Sequence, residues 1–240
     1  MTSSIREDKY RPFLREDCEK NTKWRYGEPP TYDVVNRLFE EGRSKVWAPG
    51  SVEEQVQTIV KTWEMEMFHK VDRQDYRSLD IEKYSFSVNG RKGMSLEEKT
   101  KLGGGGYIPF LETSLPKKMR AYDPYVETAD TAHVAFTTAF PRGFALEILD
   151  VYSGPPLIVY KFRHWGYMEG PFKGHAPTGH KVELYGISIF TLDENSKIVK
   201  VEFFFDPAQL LGGLLEGAEL DGSATGEDAV PKCPILRNTG

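Results

Sequence analysis

The chain has 240 residues, of which 31 are Lys or Arg and 36 are Asp or Glu, for a formal net charge of -5. This acidic balance, without any basic block, sets aside nucleic acid and anionic lipid as main partners. No apolar run approaches the roughly 18–20 residues of a membrane span, so no span is expected. The first ten residues carry charges where a secretory signal would be apolar, and no Asn-x-Ser/Thr occurs. Two cysteines, Cys18 and Cys233, are too few for a disulfide framework, and the chain reads as cytoplasmic.

Residues 1–50 read as an arm packed on the main domain. Its first part is charged and aromatic, with Tyr10, Phe13, Trp24 and Tyr26, and it closes at Pro29-Pro30. Thr31 offers an N-cap, and Tyr32, Val35, Leu38 and Phe39 then share one helical face, with Gly42 as the stop. The clearest helix is 51–71. Ser51 and Glu54 form a capping box, and Val52, Val56, Ile59, Val60, Trp63 and Met67 make a wide apolar stripe. Tyr84, Phe86 and Val88 alternate with serines in a strand that ends at the Asn89-Gly90 turn.

Residues 91–126 form an irregular insertion in which Ser95-Leu-Glu-Glu starts a short helix. Gly103 to Gly106 lack the Gly-Lys-Ser/Thr of a phosphate loop and read as a flexible connection. A helix over 127–140 buries Ala132, Ala135, Phe136, Ala139 and Phe140 and stops at Pro141-Arg142-Gly143. Four strands follow, over 144–152, 157–167, 181–192 and 198–205, and their short connections predict an antiparallel sheet. A helix over 207–215 closes the domain, which spans 51–216, and a Gly, Ala, Ser and acidic tail over 217–240 is expected to be mobile. Helices first and strands last give an α+β class.

The stretch Gly170-Pro-Phe-Lys-Gly-His-Ala-Pro-Thr-Gly179 between two strands is followed by Lys181-Val-Glu-Leu-Tyr-Gly-Ile and Lys197-Ile-Val-Lys-Val-Glu-Phe-Phe-Phe-Asp-Pro207. It resembles the SnoaL-like polyketide-cyclase branch of the nuclear-transport-factor-two-like superfamily. That resemblance implies a cone-shaped fold, with a curved antiparallel sheet wrapped on helices around a pocket. A resemblance to plant pathogen-related proteins spans nearly the whole chain. It rests on Trp24-Arg-Tyr-Gly, Pro30-Thr-Tyr-Asp-Val-Val-Asn36, Lys61-Thr-Trp-Glu-Met-Glu66, Tyr152-Ser-Gly-Pro-Pro156 and Lys161-Phe-Arg-His-Trp-Gly-Tyr167. It implies association with defence, and the fold implies a hydrophobic small molecule as ligand. Two other readings stay open, a cofactor-free cyclase, isomerase or lyase of specialised metabolism and a non-catalytic helper of another enzyme. No cofactor and no metal site is expected.

In the cyclases an acidic pocket residue works as acid and base, and Asp206 matches the Asp that closes the last strand. Asp206 also precedes Pro207 and suits a helix N-cap. His164 and His175 are further candidates for proton transfer, since imidazole titrates near neutrality. His180 is the third histidine near the expected pocket, and His69 falls at the surface or core edge. The elements that enclose the pocket in the resembled fold assign ligand contacts to Trp63, Trp165, Tyr167, Tyr185 and Phe204. Strand alternation leaves open which face lines the pocket, because rings occur on both faces of the last strands. Those rings, with the resemblance, also imply a homodimer formed by one face of the sheet.

Overall fold

The computed structural model describes residues 5–101 and 107–220. The run Gly103–Gly106, residues 221–240 and Cys233 therefore lie outside the described residues. A short helix, α1 (Glu16–Glu19), sits in the arm, followed by α2 (Asp33–Gly42). Tyr32, not Thr31, occupies the N-cap position of α2, without a side-chain cap bond, and Asp33 faces the positive end of the helix in its first turn.

In α3 (Val52–His69) the Ser51 side chain accepts from Glu54 N at 3.2 Å, as the sequence predicts. The reciprocal bond is displaced by one residue, because the Glu54 carboxylate accepts from Gly50 N at 2.6 Å. The helix stops two residues before the predicted end. Lys70 is extended and bridges to Trp24 of the arm, and Arg25 N donates to His69 O at 2.8 Å. The Lys70 ammonium is fully buried between Glu19 at 2.8 Å, Glu66 at 3.0 Å and the Asp75 carbonyl at 2.8 Å. This cluster fastens α1 to the end of α3.

The strands are β1 (Ser85–Val88), β2 (Met94–Ser95), β3 (Ala145–Ser153), β4 (Leu157–Tyr167), β5 (Lys181–Leu192) and β6 (Ile198–Phe205). Helices α4 (Leu96–Lys101) and α5 (Tyr107–Leu111) lie in the insertion. α6 (Ala129–Ala139) precedes the sheet's main strands, and α7 (Pro207–Leu214) follows them. The α+β class is as expected, and the six strands form one curved sheet in the order β2-β1-β6-β5-β4-β3. The sheet is not wholly antiparallel. β1 pairs in parallel with β6, Phe86 opposite Val201, while the other pairs are antiparallel. Tight turns dictate orientation only between consecutive strands, and residues 89–197 lie between β1 and β6.

Two cores result. On the inner face Ile148, Tyr160, Phe162, Phe190, Val201 and Phe203 meet Val56, Val60, Trp63 and Met67 of α3 and Phe136 and Ala139 of α6. A second core gathers Tyr10, Leu14, Tyr32, Val35, Leu38 and Phe39 against Met65, Ala145 and Trp165. Gly42 lets the end of α2 sit on the Trp165 indole, since a Cβ there would stand 2.9 Å from Nε1. Beside it the buried Glu147 accepts from Lys45 N at 2.8 Å and from Arg163 at 2.7 Å. After α7, residues 218 and 220 pair with the loop after β4: Ala176 N donates to Ala218 O at 2.9 Å and Leu220 N to Gly174 O at 2.7 Å. The first residues of the expected tail are thus bound to that loop.

Candidate functional site

A cavity of about 210 Å³ lies between the inner face of the sheet and helices α3, α5 and α6. Strand parity builds its floor. Phe162 and His164 of β4, Leu184 of β5, and Phe203 and Phe205 of β6 all point inward. Row spacing on α3 builds one wall, because Val60, Glu64 and Phe68 stand at i, i+4 and i+8, with Trp63 beside them. Tyr107 of α5 stacks on Phe136 of α6 with centroids 4.7 Å apart. The Trp63 ring lies 5.5 Å from Phe203, and its Nε1 donates to the Tyr84 hydroxyl at 3.1 Å. The indole is thereby fixed in position as part of the cavity wall.

Few polar groups interrupt this aromatic lining. Glu64 keeps a quarter of its side-chain surface accessible, and it borders the cavity. Burial pushes its carboxyl above the usual carboxylate range. The positive charges of Arg11 and Lys61 oppose that rise. The Arg11 guanidinium approaches Glu64 Oε2 to 4.0 Å, bonds Asp8 at 3.1 Å and stacks on Tyr32 at 3.4 Å. Lys61 is buried over the Phe39 ring at 3.5 Å. Neither cation borders the cavity, whereas Glu64 does.

His164 stacks on Phe144 with centroids 5.5 Å apart. Burial, with the nearby Lys61 charge, pushes its imidazole down to about 3. His69, only 3% exposed, is likewise pushed down to about 3 by burial and by the neighbouring His133, Arg11 and Arg25. Both imidazoles are therefore neutral at physiological pH. The Nδ1 atoms of His69 and His164 are buried and make no hydrogen bond among the described residues. His133 borders the cavity from α6 and stacks on Tyr26 at 4.2 Å. Among the described residues no group of three or more His, Cys, Asp or Glu is placed to hold a metal ion.

Of the catalytic and ligand-contact residues expected from sequence, Trp63 and His164 line this cavity, and Asp206, His175, Trp165, Tyr167, Tyr185 and Phe204 do not. Asp206 is exposed at the start of α7, where its carboxylate accepts from Ala208 N at 2.9 Å as an N-cap. His175 lies in the loop after β4 and bonds the Gly217 carbonyl at 2.9 Å. Trp165 is buried in the second core, and Tyr167 packs against that core beneath the Arg142 guanidinium. Tyr185 and Phe204, 40% and 39% exposed, stand on the outer face of β5 and β6. The apolar-inward reading of β6 is the one the structure adopts: Phe203 and Phe205 turn in, Phe204 turns out. Glu64 and His133 were not picked out. His69, expected at the surface or core edge, is a buried part of the cavity wall. The signal for Glu64 was the i, i+4, i+8 row from Val60 to Phe68, in which one carboxylate interrupts an apolar line.

The chain is thus an α+β protein with a cavity rich in aromatic residues between a curved sheet and its helices. No family model matches the chain. It is 53% identical over 232 residues to a pathogen-related protein of barley, Hordeum vulgare, covering 96% of this chain and 95% of that one. The chain belongs to the pathogen-related protein family. Solved structures similar to it include a candidate SnoaL-like polyketide cyclase from Jannaschia sp. CCS1, at 16% identity and a TM-score of 0.37. It matches 73% of this chain and all of that one. A candidate polyketide cyclase from Acidithiobacillus ferrooxidans matches 72% of this chain and all of its own length, at 12% identity and a TM-score of 0.38. No helix among the described residues is long and apolar enough to cross a membrane.

Proposed function

We propose that this chain binds a small hydrophobic molecule in the cavity and performs cofactor-independent acid–base chemistry on it, as an isomerase, cyclase or lyase. The observation that carries this reading is Glu64, the one carboxyl among the described residues that line a largely apolar, aromatic-rich cavity. Burial that raises a carboxyl's pKa makes it a better proton acceptor, and so a candidate for acid–base work. Glu64 is the proton-transferring group in this reading, and neutral His164 polarises or orients the ligand from the floor. The ring walls hold a flat molecule in one orientation against Glu64, which lowers the entropic part of the barrier. A cytoplasmic role in defence and a homodimer formed through the outer sheet face complete the proposal. The exposed Tyr185 and Phe204 support that interface.

The test is a thermal-shift screen of plant metabolite fractions, because a ligand that binds only the folded state raises its melting point. Hits are then incubated in deuterated water with wild type and with Glu64→Gln. Deuterium entering a ligand C–H bond with wild type alone supports the chemistry. Binding without exchange or turnover in either protein leaves a carrier and removes the enzyme. Sedimentation that shows only monomer at high concentration removes the dimer.

A further inference from the structure

The charges around Glu64 are arranged asymmetrically, and the asymmetry specifies a ligand class. The carboxylate borders the cavity, while the two cations that offset it stand behind the lining. Arg11 is buried and already engaged by Asp8 at 3.1 Å and Asn36 at 3.3 Å. Lys61 is covered by the Tyr10 and Phe39 rings. A molecule in the cavity therefore meets the Glu64 carboxyl and never meets the guanidinium or the ammonium directly.

The geometry points to a neutral, flat ligand of one or two fused rings that carries a hydroxyl, phenolic or enolic, directed at Glu64, with carboxylate-bearing analogues excluded. This deepens the binding reading above and rests on it. Size sets the ring count, since a cavity on the order of 150 Å³ admits benzene and this one measures about 210 Å³. Chemistry sets the functional group. A ligand hydroxyl donates to the Glu64 carboxyl. A ligand carboxylate would lie beside Glu64 with no cation in reach, and like charges in an apolar enclosure repel strongly.

Three molecules of one shape test this by titration calorimetry at pH 7.5: naphthalene, 1-naphthol and 1-naphthoate. A hydrogen bond to a charged acceptor is worth at least about tenfold in affinity. Wild type is therefore expected to bind 1-naphthol at least about tenfold more tightly than naphthalene, and 1-naphthoate at least about tenfold more weakly than 1-naphthol. In Glu64→Gln the preference for 1-naphthol over naphthalene should shrink to a few-fold, and 1-naphthoate should gain affinity. The naphthalene affinity of this variant reports whether its cavity is intact. If naphthalene binds wild type and 1-naphthol binds no better, or 1-naphthoate binds best, the assigned ligand class is overturned while the cavity reading stands. If none of the three binds wild type, both fall. Unchanged selectivity in a Glu64→Gln variant that still binds naphthalene overturns the role of Glu64.

Discussion

Lowering the pH from 7.5 to 5.0 should destabilise this protein through two residues of the cavity wall. His69 and His164 each have a folded-state pKa of about 3, against 6.5 for an ordinary imidazole. A histidine with a depressed folded pKa binds fewer protons in the native than in the unfolded chain. Stability is therefore intact above about pH 6.5 and falls progressively as the pH drops toward 3. At pH 5 each unfolded imidazole has gained about 1.5 pH units of protonation free energy, or about 2 kcal/mol. His69 is almost fully buried and takes that value. His164 is half-buried beside the cavity, so we assign it about half, for a combined loss of about 3 kcal/mol.

The other shifted groups are common to wild type and variant and cancel in the comparison: burial lowers Lys99 to about 7 and also lowers Lys61, and these two add to the loss in both proteins. Glu64, with its pKa raised, takes up protons preferentially in the folded state and opposes the loss. The carboxyls held below their ordinary values, Glu40, Asp80, Glu97, Glu98 and Glu127, titrate mainly below pH 5. The assay is urea unfolding followed by tryptophan fluorescence at the two pH values. Wild type is compared with the His69→Gln, His164→Gln double variant, whose amides carry no charge at either pH. Wild type should lose about 3 kcal/mol more than the double variant. Equal losses in the two proteins would refute the reasoning.

Lys70→Met should cost about 3–5 kcal/mol in chemical unfolding, because it leaves Glu19 and Glu66 buried without their cation. A change under about 1 kcal/mol would mean that the cluster is open to water. Gly170→Ala would drive a methyl group into the Thr138 carbonyl, and a loss of about 1–3 kcal/mol or more is expected by thermal unfolding. Asp206→Asn should change the melting point by no more than a degree or two and leave naphthalene affinity unaltered, since Asn caps a helix about as well as Asp and Asp206 lies outside the cavity. A binding defect in that variant would return Asp206 to the site.

The elements that were legible in the sequence are those with local causes. Strands over 157–167, 181–192 and 198–205 end where turn residues end them. The Ser51 cap marks the start of α3 to the residue. The parallel pairing of β1 with β6 was not legible, since it joins segments far apart in the chain and no local pattern encodes it. Nor was the inward face of β4 and β5. Their inner rows, Tyr160-Phe162-His164 and Leu184-Gly186-Ser188, differ little in polarity from outer rows that hold Trp165, Tyr167 and Tyr185. The outer rings are there because the second core and the outer surface use them. Four of the five expected ligand contacts, Trp165, Tyr167, Tyr185 and Phe204, stand outside the cavity because of that ambiguity. Trp63 escaped it because an apolar stripe on a helix has one buried side.

Trp165 and His164 are consecutive residues on β4, one held by the arm and α2, the other set in the cavity floor. A strand allows no slack between neighbours, so the two sit on a common lever. Any partner that pried the arm away from Trp165 would tilt the imidazole on the far side of the sheet without touching the ligand. The emission of Trp165 would register that event, which makes this indole a built-in reporter on the state of the floor.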